Sequence, residues 1–274
     1  MTLARVVLLV AALVASGAGC PWRHRIDQGA AARAALKSVQ YVRRSFQSSL
    51  AGCNDPTSHA PAPCVRMDVE YVEATRSTIE LARAVAAFVG ATVLRPVGDG
   101  GPVTDVEMLR DLLYDLYRER QQAFPDYRIP WQLERTVSVA CNTPRIQGLV
   151  AADHSFTGGA APVERVDYRS LDTTTGARVG LDGLVAPENQ DAFTAQLERR
   201  FREARRLAFG QGLAAAGFDF SGGRFAATDN LLACPDALTF RWNPGDVAPT
   251  VFGPTEVVVP RAEVAELLRS DAPL

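Results

Sequence analysis

Lysine is nearly missing from this 274-residue chain, where Lys37 stands alone among arginines. That bias reflects genome composition more than function, and the basic and acidic totals stay close, at 29 and 31. A chain without a basic excess has no electrostatic footprint for nucleic acid, and none is expected as a partner. Catalytic signatures are scarce too. There is no Gly-x-Ser-x-Gly elbow, no His-Glu-x-x-His helix and no P-loop, so the sequence gives no grounds for those hydrolase, zincin or nucleotidase classes. Of the three histidines, His24 and His59 fall in segments expected to be solvated. Asp153-His154-Ser155 spells the letters of a hydrolase triad. Successive strand side chains face opposite ways, however, so adjacency cannot assemble a site, and His154 reads as structural. Asp167 with Asp172, or Asp182 with Glu188, are the acid pairs that could flank a glycosidic bond, but their spacing does not set them above surface carboxylates.

Long apolar runs are lacking as well. The run Val6 to Ala15 has ten residues, which as a helix rises roughly 15 Å, half of the ~30 Å hydrocarbon core. With Arg5 before it and Ser16-Gly17-Ala18-Gly19 after it, the run has the charge, core and cleavage-site order of a secretory signal. The small residues before Cys20 resemble the bacterial lipoprotein box, with Gly17 where those boxes usually carry Leu. The resemblance implies cleavage before Cys20 and acylation of that cysteine, palmitate included, which gives a stable anchor because each buried CH₂ contributes roughly 0.8 kcal/mol. Pro21 in place of Asp after the cysteine implies the outer membrane, facing the periplasm. Ordinary signal cleavage near Ala18, leaving a soluble secreted protein, is the competing reading.

Five cysteines less Cys20 leave Cys53, Cys64, Cys141 and Cys234, an even number suited to two disulfides. Cys53 and Cys64 bracket a loop with three prolines and are paired on that ground; Cys141 with Cys234 follows by default, with two buried free thiols as the alternative. No two of these cysteines have the close spacing of a zinc hook, so no metal and no cofactor is expected.

Removing residues 1–19 leaves 255 residues and a formal charge of −3, enough chain for one or two domains. Residues 20–64 are read as tether, helix and disulfide loop, with a helix-like stripe over Ile26 to Leu50. Residues 65–136 are read as an α+β front region. It begins with the alternating strand Val65-Arg66-Met67-Asp68-Val69-Glu70-Tyr71. Helices are expected over Thr75 to Val89 and over Thr104 to Phe124, the second opened by a Thr104/Glu107 capping box. From Trp131 a hairpin turning at Asn142-Thr143-Pro144 is expected; residues 137–270, read as the C-terminal domain, hold a strand near Val166 to Leu171 and an extended Arg178 to Leu184 segment after the turn at Asp172 to Gly176. A helix from about Pro187 and three extended pieces follow: Phe225 to Cys234, Leu238 to Trp242 and Thr255 to Val259. A short terminal helix completes the chain. The fold class is therefore α+β, a largely antiparallel sheet packed with helices and preceded by an N-terminal helical segment.

Three stretches resemble the RsiV-like C-terminal domain family, a domain of unknown function shared by a lysozyme-sensing anti-sigma factor and a peptidoglycan deacetylase. They are His154 to Pro162 (HSFTGGAAP), Leu171 to Val185 (LDTTTGARVGLDGLV) and Ala237 to Leu268, with its Asn-Pro turn and its final strand ending in Pro. Ala161 replaces the family's His after Gly-Gly-Ala, and Gly245 replaces its aromatic after Asn-Pro, so roles of those side chains are lost here. Phe156, Thr157, Gly158 and Gly159 are the candidate ligand-facing loop, against the simpler reading that the two glycines supply positive φ for a turn. Trp242 and Asn243 are candidate ligand contacts, against the simpler reading of core and turn. The resemblance implies a lipid-anchored cell-envelope binding module without chemistry of its own, its ligand a lysozyme-like protein or a cell-wall glycan. The alternatives are a glycan-acting cell-wall enzyme and a structural or assembly lipoprotein of the envelope.

Overall fold

A computed structural model describes residues 38–50, 53, 64–98 and 101–274. The signal, Cys20 and most of the proposed tether lie outside these residues. The strands are β1 (Gln40–Leu50), β2 (Val65–Arg76), β3 (Trp131–Asn142), β4 (Ile146–Phe156), β5 (Val163–Asp172), β6 (Leu231–Ala233), β7 (Ala237–Trp242) and β8 (Thr255–Pro260); the helices are α1 (Ile79–Val93), α2 (Val106–Ala123), α3 (Gln190–Ala204) and α4 (Arg261–Val264). Strands β1 to β5 form one sheet in sequence order and β6 to β8 a second. The class is α+β, with largely antiparallel sheets, as the sequence implies. The exception is β2 with β3, which pair in parallel. Parallel neighbours need a crossover, and α1 and α2 supply it.

The helices start where local chemistry satisfies their orphan amides. Thr78 accepts the Leu81 N–H at 3.2 Å, and Asp105 accepts that of Met108 at 2.8 Å. The N-cap of α2 is thus Asp105, one residue beyond the expected Thr104; a carboxylate also favours the positive helix end more than a hydroxyl does. Leu81, Val85, Phe88 and Val89 of α1 and Leu109, Leu113 and Tyr117 of α2 pack on Val65, Met67, Val69, Leu133, Leu149 and Ala151 of the large sheet. A second core joins Phe193, Leu197 and Phe201 of α3 to β6–β8. Its centre is Phe201, whose ring centroid lies 5.1, 5.4, 5.5 and 5.0 Å from those of Phe218, Phe220, Phe225 and Trp242.

The two sheets are joined along the free edge of β5. Asn243 Oδ1 accepts the Val166 N–H at 2.8 Å and Asn243 Nδ2 donates to the Val166 carbonyl at 3.0 Å. Asn230 does the same one step along, accepting from Tyr168 N at 2.6 Å and donating to Val166 O at 2.8 Å. Side-chain amides thus stand in for a partner strand and satisfy an edge that would otherwise be open. The join is also covalent, since Cys141 of β3 is bonded to Cys234 after β6. Gly148 makes room for it: a Cβ there would lie 2.5 Å from Cys141 Sγ and 2.8 Å from Leu232 Cδ1. The Cys53–Cys64 bond is present too.

Two expectations are corrected, for residues 40–50 and for Arg178 to Leu184. Residues 40–50 form an edge strand, not the end of a helix, pairing along the whole length of β2 with Phe46 opposite Val69. Phe46 and Leu50 are four apart, a spacing that shares a face in a strand as well as in a helix, and the open edge of β2 decides between them. The division at 136/137 falls inside β3, and Ser38–Leu274 is one compact unit. Arg178 to Leu184 does not form a strand: a single bridge joins Leu171 to Arg178, and residues 181–183 turn as a 3₁₀ helix capped by hydrogen bonds to Gly180 and Leu181 carbonyls.

Candidate functional site

Alternation on β5 places Arg165, Asp167 and Arg169 on the face that carries Leu171, toward α1. Together with Phe88 and Thr92 of α1, Arg95 just after it, Arg178, Asp229, Asn230 and Asp246 they line a cleft of about 330 Å³. A row of alternating charges leads from the interior to this cleft. Arg135 and Asp153 are direct partners in the β3–β4 ladder, and Arg135 Nε donates to Asp153 Oδ2 at 3.2 Å. Arg95 Nη1 donates to the same oxygen at 3.1 Å, and its Nη2 reaches Asp167 Oδ2 at 3.2 Å. Arg165 Nε then donates to Asp167 Oδ2 at 2.8 Å.

The inner end of the row is held by the helix. Arg135 Nη1 donates to the Val93 carbonyl at 2.9 Å, an orphan acceptor at the negative end of α1. Burial pulls the Arg135 guanidinium below its ordinary value, the more so with Arg95 beside it, while Asp153 opposes the shift. Arginine retains its proton through the physiological range. The arginines of the cleft are therefore fixed positive donors, suited to holding an anionic or strongly polar group.

A larger open groove of about 680 Å³ lies between α1, β2 and the start of α2, with Ala82, Val85, Ala86, Val89 and Gly90 as its helical wall. Among the described residues no cluster of three His, Cys, Asp or Glu side chains could hold a metal ion. No described helix is long and apolar enough to cross a membrane.

Of the residues singled out in the sequence, Asp167 lines this cleft and Asn243 borders it, and the others among the described residues lie apart from it. Phe156, Thr157 and Gly158 are half-buried at the end of β4. Gly158 has φ +77°, and a Cβ there would fall 1.9 Å from Tyr127 Oη and 2.7 Å from Trp131 Nε1. It is needed for that contact, in which Trp131 Nε1 donates to Tyr127 Oη at 2.8 Å. Gly159 is exposed and, unlike Gly158, does not take positive φ. Trp242 is buried in the second core. Asn243 is buried against β5, where its Nδ2 also approaches Asp167 Oδ1 at 3.5 Å. His154 is exposed and faces Glu164 at 3.6 Å, while Asp153 and Ser155 are buried on the opposite face. Asp172 accepts the Thr174 and Thr175 amides of its own turn and is not paired with Asp167.

The arginines of the cleft escaped notice because they come from segments far apart in the chain. Two signals were present. Arg165-x-Asp167-x-Arg169 puts charges on one strand face at period two, and Arg135 and Asp153 are equidistant from Pro144, so a hairpin centred there brings them together.

Residues 182–262 match a family described as "Protein of unknown function (DUF3298)". That span runs from the 3₁₀ turn through α3 and β8 and so contains most of the second core. The DUF3298 likeness extends further in solved structures. A DUF3298 family member from Bacteroides fragilis NCTC 9343 superposes with a TM-score of 0.62 at 16% identity, covering 86% of this chain and 96% of its own. A DUF3298 family protein from Pseudomonas aeruginosa PAO1 superposes with a TM-score of 0.54 at 15% identity, covering 85% and 95%. At these identities the likeness is one of fold, and it takes in the large sheet along with the matched segment. No curated protein matches the chain.

Proposed function

We propose that this chain is a lipid-anchored cell-envelope protein, tethered through Cys20 and probing its surroundings with an RsiV-like binding module whose ligand engages the arginine-lined cleft. The observation that carries the binding role is the cleft itself. Its wall carries Arg95 and Arg165, fixed in place by Asp153 and Asp167, beside Arg169 and Arg178, and such groups orient and hold a ligand without titrating. Support for the compartment comes from the signal-like segment before Cys20 and from the two disulfides, which persist where the surroundings are oxidising. The ligand class is a lysozyme-like protein or a cell-wall glycan, and the outer membrane facing the periplasm is the expected site of anchorage.

The test is incubation of the full chain, extracted from membranes in detergent, with peptidoglycan fragments and with lysozyme. Retention of either with no change in the mass of the glycan is the expected result. Release of shorter or modified fragments by the wild type, abolished in Asp167→Asn, would establish a glycan-acting enzyme instead.

A further inference from the structure

We propose that the cleft between α1, β5 and residues 228–230 binds an oxyanion, either a carboxylate or a phosphate monoester, with Arg169 as its central donor. This deepens the binding role proposed above and rests on it for the setting of the ligand.

The charges of the cleft do not close on one another. Asp167 is shared by Arg95 and Arg165. Asp229 lies 4.0 Å from Arg178, and Asp246 Oδ2 accepts the backbone N–H of Asn243 at 2.8 Å. Arg169 enters none of these pairs, and its Nε is buried with no hydrogen-bond partner among the described residues. Its Cζ lies over the Phe88 ring, 5.2 Å from the centroid. A cation–π contact of that kind holds the guanidinium against α1, and its Nε is left to be satisfied from the cleft.

Burial depresses the Arg169 guanidinium below its ordinary value and the neighbouring Arg178 depresses it further, while Asp167 and Asp229 oppose the shift. The lining carries four arginines, Arg95, Arg165, Arg169 and Arg178, against three carboxylates, Asp167, Asp229 and Asp246. Water at Arg169 Nε would satisfy the donor alone; an oxyanion near Arg169 and Arg178 satisfies the donor and balances the remaining positive charge together. The cleft volume, about 330 Å³, is at the lower end of the roughly 300–1,000 Å³ range of small-molecule sites. It suits a small anion or the anionic terminus of a larger ligand.

The experiment is calorimetric titration and thermal unfolding of the full chain in detergent, with inorganic phosphate or acetate against chloride at matched ionic strength. At least one oxyanion is expected to bind and to raise the melting temperature above the chloride value. A response to phosphate alone assigns a phosphate group, and a response to acetate alone assigns a carboxylate. Arg169→Gln is expected to weaken that binding about tenfold or more. Arg178→Gln, at a more exposed position, is expected to weaken binding several-fold and supplies the answer should the first variant not fold. Equal responses from wild type and both variants, or no response above chloride, would overturn the inference. Retention of cell-wall material without oxyanion binding would overturn it while leaving the proposed function standing. Oxyanion binding without such retention would support the site and count against the wider reading.

Discussion

Arg135 and Asp153 face each other across the β3–β4 ladder with Nε 3.2 Å from Oδ2, each side chain only 3% exposed. The pair ties the centre of the large sheet to the end of α1 and to Arg95, and so sets the position of the cleft. Asp153→Ala leaves Arg135 charged and uncompensated in the interior. Breaking one side of a buried pair costs about 3–5 kcal/mol, whereas replacing both sides with apolar residues of similar volume is often neutral. Denaturant unfolding should therefore show a large loss for Asp153→Ala and a much smaller one for the Arg135→Met, Asp153→Leu double variant. Equal losses would remove the pair from this role.

The disulfides should differ in weight. Cys141 and Cys234 are 93 residues apart and Cys53 and Cys64 are 11 apart. In the chain-entropy model, loops of about 100 and about 15 residues contribute roughly 4.7 and 3 kcal/mol. Paired Cys→Ser variants compared by urea unfolding should show the greater loss for the long loop.

Gly158→Ala should be costly for two reasons, the positive φ and the approach to Tyr127 Oη. A loss of about 2 kcal/mol or more is expected from strain and overpacking together. Tyr127→Phe in the same chain removes the closest atom and should recover part of the lost melting temperature, a rescue that a ligand-binding role for the glycine would not produce.

Phe201→Ala should lower stability by about 3–5 kcal/mol, since the ring is fully buried and touches four other aromatic side chains. Trp242→Ala should fall in the same range and should abolish cooperative near-ultraviolet signals with it. A Trp242 variant of wild-type stability would contradict the placement of this side chain in the core.

Alkaline pH should weaken the fold through Tyr41. Burial pushes its phenol up to about 12, and its hydroxyl donates to Gln147 Oε1 at 3.0 Å. The folded state therefore holds this proton more tightly than the unfolded chain, whose phenol titrates near 10. The contribution is complete below about pH 10 and is lost as pH rises toward 12. Stability of Tyr41→Phe measured across that window should decline less steeply than that of the wild type.

Much of the fold is legible in the sequence wherever one face of an element is buried. The alternation of Val65, Met67 and Val69 marks β2, the turn at Thr143 and Pro144 marks the β3–β4 hairpin, and the even count of four cysteines fits the two bonds found. β1 is the instructive failure. Its residues Arg43, Arg44, Gln47 and Ser49 are exposed on an edge, so no period dominates, and a tertiary partner decides the conformation. Asn243 stands out in the sequence, and its amide completes the edge of β5. The cleft is the least legible part, because Arg95, Arg169 and Asp246 come to line one site only through the crossover after β2 and the docking of the second sheet.

The proposed lipid tether at Cys20, outside the cytoplasm, is open to intact-mass measurement of membrane-extracted protein under non-reducing conditions. It predicts a chain beginning at Cys20, carrying acyl additions and lighter by four hydrogens for two disulfides. A chain of unacylated mass that begins elsewhere than Cys20, or one with four free thiols, would contradict it.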